Sequence, residues 1–346
     1  MSLRGMVTAT AAVSAVVVVA GCSTPDAPSA DTRPSHRSAP ATADTAPATG
    51  SSEPTADPEE VGANELGLVP VLMYHRLVDE PDSVYDRTPE AFRAELRRLA
   101  EEGYVPVTTA EFASGELDLP AGAHPVVLTF DDGDPSTVRV TPDGEPVEGT
   151  AVRILTEVAE EYPDFRATAS VYVNADPFGG GAAGERALRW LHENGFEVGN
   201  HTHAHTNLST VGRESAEDAI AEGHESIRAA LPDHEPTTLA LPFGARPDPA
   251  ELALRGDGYD YDAVLLVGAN PAPSPFAENF DPAGVPRIRS QGSDGSGAEF
   301  GSTAWLDKLA DNPDLRYTSD GDPSRISYPA GTDTPAAEFA EAAQPY

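Results

Sequence analysis

Two adjacent carboxylates, Asp131 and Asp132, follow an apolar run at 125–128 that reads as a buried strand. Side chains alternate across a strand, so neighbours ordinarily face opposite ways. Where the strand ends, a turn at Gly133 lets both reach one cleft. Such a pair is costly unless a cation or a proton separates the charges. About seventy residues on, His201-Thr202-His203-Ala204-His205 offers imidazoles. One carboxylate and two imidazoles suit a catalytic divalent metal with a position left open for water. Asp132, His201 and His205 make up that set. A water bound there becomes acidic enough to attack near neutral pH. Asp131, beside a ligand but itself free, then accepts the proton as general base. Each piece also has a plainer use, since Asp-Asp-Gly commonly forms turns and a histidine cluster can simply trap metal. Both placed at the ends of strands, they point to a built site.

The elements that must hold these groups alternate. Strands are expected at 68–74, 104–107, 125–130, 168–173, 196–200, 237–241 and 262–267. Helices are expected from Thr88-Pro89 to Gly103 and at 150–160, 184–194 and 213–231. Thr88 is placed to cap the first helix, with Pro89 in its first turn. Residues 133–150 read as a polar, turn-rich insertion on the active face. Repeated strand–helix units imply a parallel sheet or barrel with helices outside. Catalytic groups of such barrels gather at the strand C-termini. Residues 302–310 read as a short helix carrying Trp305, residues 317–329 as a turn or hairpin, and residues 331–346 as a frayed tail.

Thr129-Phe130-Asp131-Asp132-Gly133 and Asn200-His201-Thr202-His203-Ala204-His205 resemble the first two motifs of the polysaccharide deacetylase family, the NodB-homology or carbohydrate esterase family 4. The resemblance spans roughly residues 68–290. It implies a distorted (β/α) barrel and removal of N-acetyl groups from amino-sugar polymers. It also implies Asp131 as catalytic base, and Asp132, His201 and His205 as ligands of a metal, usually zinc. The donor set alone also accepts cobalt, nickel or manganese. The family's third motif, Arg-x-Pro-aromatic-Gly, is matched at Pro242, Phe243 and Gly244, but Ala240 stands where the family has the arginine that orients the base. Arg76, Arg287 and Arg289 are the candidates to replace it. The Phe243 backbone N–H is a candidate oxyanion donor, with core packing as its plainer role. No histidine follows His234, so the family's late general acid is missing. Val71-Leu72-Met73-Tyr74-His75 resembles the opening segment of the poly-N-acetylglucosamine deacetylase branch, which implies His75 as the acid. An imidazole suits that task. His203 reads as a wall of the site, and His124, His192, His224 and His234 as surface or helix residues. The family's tryptophan motif is not recognisable. Trp190 reads as core, and Trp305 as either groove lining or helix packing.

Composition sets the surroundings. The 346 residues carry a net charge of −35, which argues against nucleic acid and anionic lipid as partners. Residues 1–21 form an apolar leader with one basic residue, ending in Val19-Ala20-Gly21-Cys22. This resembles a bacterial lipobox and implies cleavage before Cys22 and lipidation of it. Cys22 is the single cysteine, so no internal disulfide is expected. Residues 22–62, rich in Ala, Pro, Ser and Thr, read as a disordered tether. Residues 63–330 then form the catalytic domain, held at the outer face of the cell membrane. The expected partners are an N-acetylated glycan and the membrane, with no protein partner implied. Two rival readings are an acetyl-ester hydrolase acting on xylan and a catalytically weak glycan-binding lipoprotein. A third, a metal-scavenging protein, needs no base beside a ligand.

Overall fold

The computed structural model describes residues 56–346. The expected leader, Cys22 and most of the tether lie outside the described residues. No helix among the described residues is long and apolar enough to cross a membrane.

Eight parallel strands form the main sheet: β1 Val71–Tyr74, β2 Tyr104–Val107, β3 His124–Phe130, β4 Ser170–Val173, β5 Glu197–Asn200, β6 Thr238–Ala240, β7 Ala263–Leu265 and β8 Ile288–Arg289. Their order is β7-β6-β5-β4-β3-β1-β8, and β2 pairs with the first half of β3. The sheet curls back on itself. Val285, just before β8, bridges Leu265 of β7, while β8 pairs with β1. This is the barrel-like, helix-clad sheet expected from the alternating elements. β1, β2, β3, β4 and β7 are buried along their whole length, as parallel strands covered on both faces must be.

Alternation along β1 and β3 divides the core. Leu72, Tyr74, Leu128 and Phe130 point outward and pack under the helices α1 Pro89–Glu101, α3 Ala151–Glu161 and α4 Gly181–Glu193. Val71 and Val127 point into the concave side, against Leu265 and Val285. Asp131 continues the inward set of Val127 and Thr129. Helix α1 starts where Thr88 accepts a hydrogen bond from the Ala91 N–H, and it buries Phe92, Leu96 and Leu99. Each such side chain contributes roughly 1.5–3 kcal/mol when buried. A short helix, α2 Thr109–Ser114, follows β2. Helix α5 Arg213–Ala230 lies against β5, and α6 Ser302–Asp311 carries Trp305.

Several expectations need correction at the ends. The folded part starts earlier than residue 63, because Asp57 caps a helical turn at Pro58–Val61. Residues 331–346 are not frayed. Ala343–Pro345 pairs in parallel with Ile326–Tyr328, the Phe339 ring packs on Phe276, and the Tyr346 hydroxyl donates to the Ala63 carbonyl. The segment 317–329 is therefore no hairpin, since its strand is completed by the tail. Both ends of the described region close the concave side, with Leu66, Tyr317, Ile326 and Tyr328 buried there.

Candidate active site

The site lies at the C-terminal ends of β1, β3, β5 and β6. Asp131 ends the inward row of β3 and is almost wholly buried. Its carboxylate accepts two parallel bonds from Arg287, Nη1 to Oδ1 and Nη2 to Oδ2, each 2.7 Å. Arg287 has no exposed surface. Its Nε donates to the Leu266 carbonyl, and Nη1 also reaches Thr129 Oγ1 at 3.2 Å. This fork fixes the plane of the carboxylate, which a point charge could not do. Burial alone would raise the Asp131 pKa. The Arg287 charge outweighs it and holds the carboxyl well below its usual range.

Asp132 turns the other way because its backbone is left-handed, with φ 72°. Its Oδ1 lies 3.4 Å from His201 Nε2 and 3.4 Å from His205 Nε2. One ligand atom from each of Asp132, His201 and His205 lies within 4.8 Å of the others. His201 Nδ1 lies 2.7 Å from the Ala240 carbonyl, which fixes the proton there and leaves the Nε2 lone pair facing Asp132. The donors, their convergence and the fixed tautomer fit a divalent cation. His205 is half-exposed, and burial followed by the nearby His201 lowers its pKa, which keeps it neutral for coordination.

The histidine loop is braced. Asn174 Nδ2 donates to the carbonyls of His201 and Thr202, at 2.6 and 2.9 Å. Asn200 Oδ1 accepts from the Thr202 N–H, while its Nδ2 donates to the Ile220 carbonyl and the Tyr261 hydroxyl. These bonds hold Thr202 and His205 in left-handed backbone conformations, φ 61° and 51°.

His75 follows β1. Its Nε2 is 4.0 Å from Asp131 Oδ2, the oxygen that also faces His201 Nε2 at 4.0 Å. Burial lowers the His75 pKa against the pull of Asp131. Pro242 is buried, whereas the Phe243 side chain is 63% exposed, so Phe243 is not a core residue. Its φ of 60° turns the ring onto His205, 4.6 Å between centroids. The structure thus brings together Asp131, Asp132, His201, His205, His75 and Phe243.

Of the three candidate arginines, Arg287 takes the place left by Ala240. Arg76 pairs with Asp82 and Asp86, and Arg289 bonds Gln291. His203 faces away from the centre, toward Ser226. His124 opens β3 and is neither a surface nor a helix residue, whereas His224 lies on the helix α5, as expected. Both are buried, His124 against the Tyr317 carbonyl and His224 against Tyr261 and Glu235. Trp190 is partly buried against Phe196. Trp305 donates its N–H to the Ala269 carbonyl and packs at α6.

Chemically the arrangement suits metal-assisted hydrolysis: a clamped carboxylate lies beside donors suited to a divalent cation. Residues 118–261 match the family model described as polysaccharide deacetylase. A curated chitooligosaccharide deacetylase of Sinorhizobium fredii is 33% identical over 125 residues, covering 36% of this chain and 48% of that protein. The chain therefore spans about half the length of the curated relative it matches. The deacetylase PplD of Streptococcus pyogenes, solved with acetate, superposes with a TM-score of 0.51 at 21% identity, over 64% of this chain and 92% of that one. IcaB of Ammonifex degensii gives 0.49 at 21% identity, over 70% and 96%. Residues 118–261 are thus similar to the polysaccharide deacetylase family.

Proposed function

We propose that this protein hydrolyses N-acetyl groups on an amino-sugar polymer outside the cell, with Asp131 as base and a divalent cation, zinc first, on Asp132, His201 and His205. The observation that carries the reading is the Arg287 fork on Asp131, set beside a converging donor triad. A carboxylate clamped in one plane next to a ligand has a use in proton transfer and none in metal storage.

A cation held by Asp132, His201 and His205 supplies, when bound, polarisation of the acetamide carbonyl and a more acidic water. Asp131 Oδ2, already bonded once to Arg287, keeps a lone pair toward the cleft and accepts the proton of the attacking water. The carbon–oxygen bond forms, and the carbonyl oxygen takes the negative charge. The Phe243 N–H, on a left-handed turn whose ring packs against His205, is the candidate protein donor for that charge. As the carbon–nitrogen bond breaks, His75 protonates the departing amine from beside Asp131. The products are acetate and a free amino sugar. The lipobox-like segment ending at Cys22 supports a lipid anchor, and the tether after it gives the domain reach into a surrounding wall.

Acetate release by the full chain tests this, on N-acetylglucosamine oligomers and acetylated xylan in parallel, after chelation and after reloading with zinc or cobalt. Cation-dependent release from the amino sugar is expected. Release from xylan alone, or none from either with metal bound, overturns the reading.

A further inference from the structure

Helix α1 buries Phe92, Glu95, Leu96 and Leu99. Three of these are apolar and one is a carboxylate. Glu95 comes three residues after Phe92 and so shares its face of the helix. A buried carboxylate is costly unless bonds replace its water. Here hydroxyls replace it. Glu95 Oε2 accepts from the Tyr74 hydroxyl at 2.8 Å and from Ser290 Oγ at 2.7 Å, and Oε1 accepts from Ser302 Oγ. The donors come from the last residue of β1, the residue after β8 and the first residue of α6.

These donors adjoin the groups of the centre. Tyr74 precedes His75 and stands opposite Phe130, which precedes Asp131. The Tyr74 and Phe130 rings stack, 5.1 Å between centroids and 21° apart, and Phe92 meets both edge-on. This outward pair fixes the backbone from which His75 and Asp131 turn inward. Ser290 lies three residues past Arg287. Between them β8 has two register pairs with β1, Leu72 with Ile288 and Met73 with Arg289. The Ser290 N–H adds one bond to the Met73 carbonyl, at 3.0 Å. So short a strand specifies its register weakly. Ser302 Oγ also accepts from the Gln291 N–H at 3.0 Å, so the exit of β8 is held by α6 as well.

We propose that Glu95 is a positioning residue of the centre. By joining the ends of β1 and β8 behind the sheet, it sets the places of His75 and Arg287 relative to Asp131. It touches none of these groups itself. The clamp is a matter of geometry, and its effect on rate rests on the hydrolase reading above. A carboxylate suits the task because its two oxygens accept in several directions at once. An apolar side chain of similar size would leave buried hydroxyls unpaired, each then free to seek another partner. The intervals at stake are the 4.0 Å between His75 Nε2 and Asp131 Oδ2 and the two 2.7 Å bonds of the Arg287 fork. Misplacing such groups by about 1 Å costs up to about 100-fold in rate.

The test uses the full chain loaded with zinc, and N-acetylglucosamine oligomers as substrate. Glu95→Leu is expected to lower kcat about tenfold with KM and zinc content unchanged. Hydrogen exchange at the Ser290 amide reads the clamp without turnover and is expected to be about tenfold faster in that variant. Glu95→Gln keeps an oxygen for Tyr74 and Ser290 and turns its nitrogen to Ser302 Oγ, a hydroxyl that accepts as well as donates. It should bring both readouts back to within about twofold of wild type. Should Glu95→Leu not fold, Tyr74→Phe removes one bond with little change of volume, and the same split is expected at about threefold. A side chain that served stability alone would leave kcat of the folded variant untouched. Wild-type kcat in folded Glu95→Leu or Tyr74→Phe, or unchanged exchange at Ser290, therefore overturns the positioning role. A wild-type chain that releases no acetate, while exchange at Ser290 still depends on Glu95, overturns the deacetylase reading and leaves the clamp standing.

Discussion

At the residue scale, the centre is a set of groups whose meaning depends on one partner. Asp131 is buried and ionised, and Arg287 is what makes that tolerable. Removing the guanidinium outright would strand a buried charge, at a cost of about 3–5 kcal/mol. Arg287→Lys keeps the charge and loses the fork. It should retain the fold and the metal while lowering kcat roughly 100-fold with little change in KM, because the base loses its plane. Steady-state kinetics with metal analysis checks this, and an unchanged kcat would refute the orienting role. Asp131→Asn should abolish turnover with metal still bound. The four central residues were legible in sequence because each pair sits inside a short contiguous motif. Arg287 was one candidate of three. Its meeting with Asp131 spans 156 positions and depends on how the sheet curls, which local spacing does not encode. His124 was misjudged for a related reason: a long-range partner, the Tyr317 carbonyl, decides whether its imidazole can be buried.

At the scale of elements, the strands and helices of the main sheet follow from apolar runs and caps. The exception is β8, two residues long and too short to show a period. Yet β8 places Arg287 at the site. The histidine loop depends likewise on α5. Gly223 of α5 approaches so closely that a Cβ would fall 2.3 Å from Asn200 Oδ1 and 2.9 Å from the His203 nitrogen. In an open helix, glycine to alanine gains about 1 kcal/mol. Here Gly223→Ala should instead cost about 1–3 kcal/mol and weaken zinc binding, because the brace on Thr202 is pushed aside. Denaturant midpoints and zinc titration would show it. A variant as stable and as tight as the parent would mean that the loop is not held by this contact.

At the scale of the whole molecule, the two ends of the described region are stitched to the concave side. Glu65 accepts from the Ser327 N–H and lies near Tyr317 and Asp320. Burial pushes its pKa up from 4.5 to about 7, against the bond from Ser327. The folded protein thus holds this proton more tightly than the unfolded chain does. Its contribution to stability is greatest below about pH 4.5 and declines as pH rises toward 7 and just beyond. Between pH 4.5 and 8 the loss is on the order of 3 kcal/mol. Glu65→Gln should flatten that part of the profile relative to wild type in matched unfolding series, and parallel profiles would remove Glu65 from the account. The closing of the sheet has another result. The acids, both imidazoles of the triad and His75 all precede residue 206, whereas the guanidinium that aims the base comes at 287. A chain emerging from the ribosome, or one cut short before that point, holds every group of the centre except the one that orients it. On the hydrolase reading, the orienting group therefore joins the centre only when β8 has been made, well after the groups it serves.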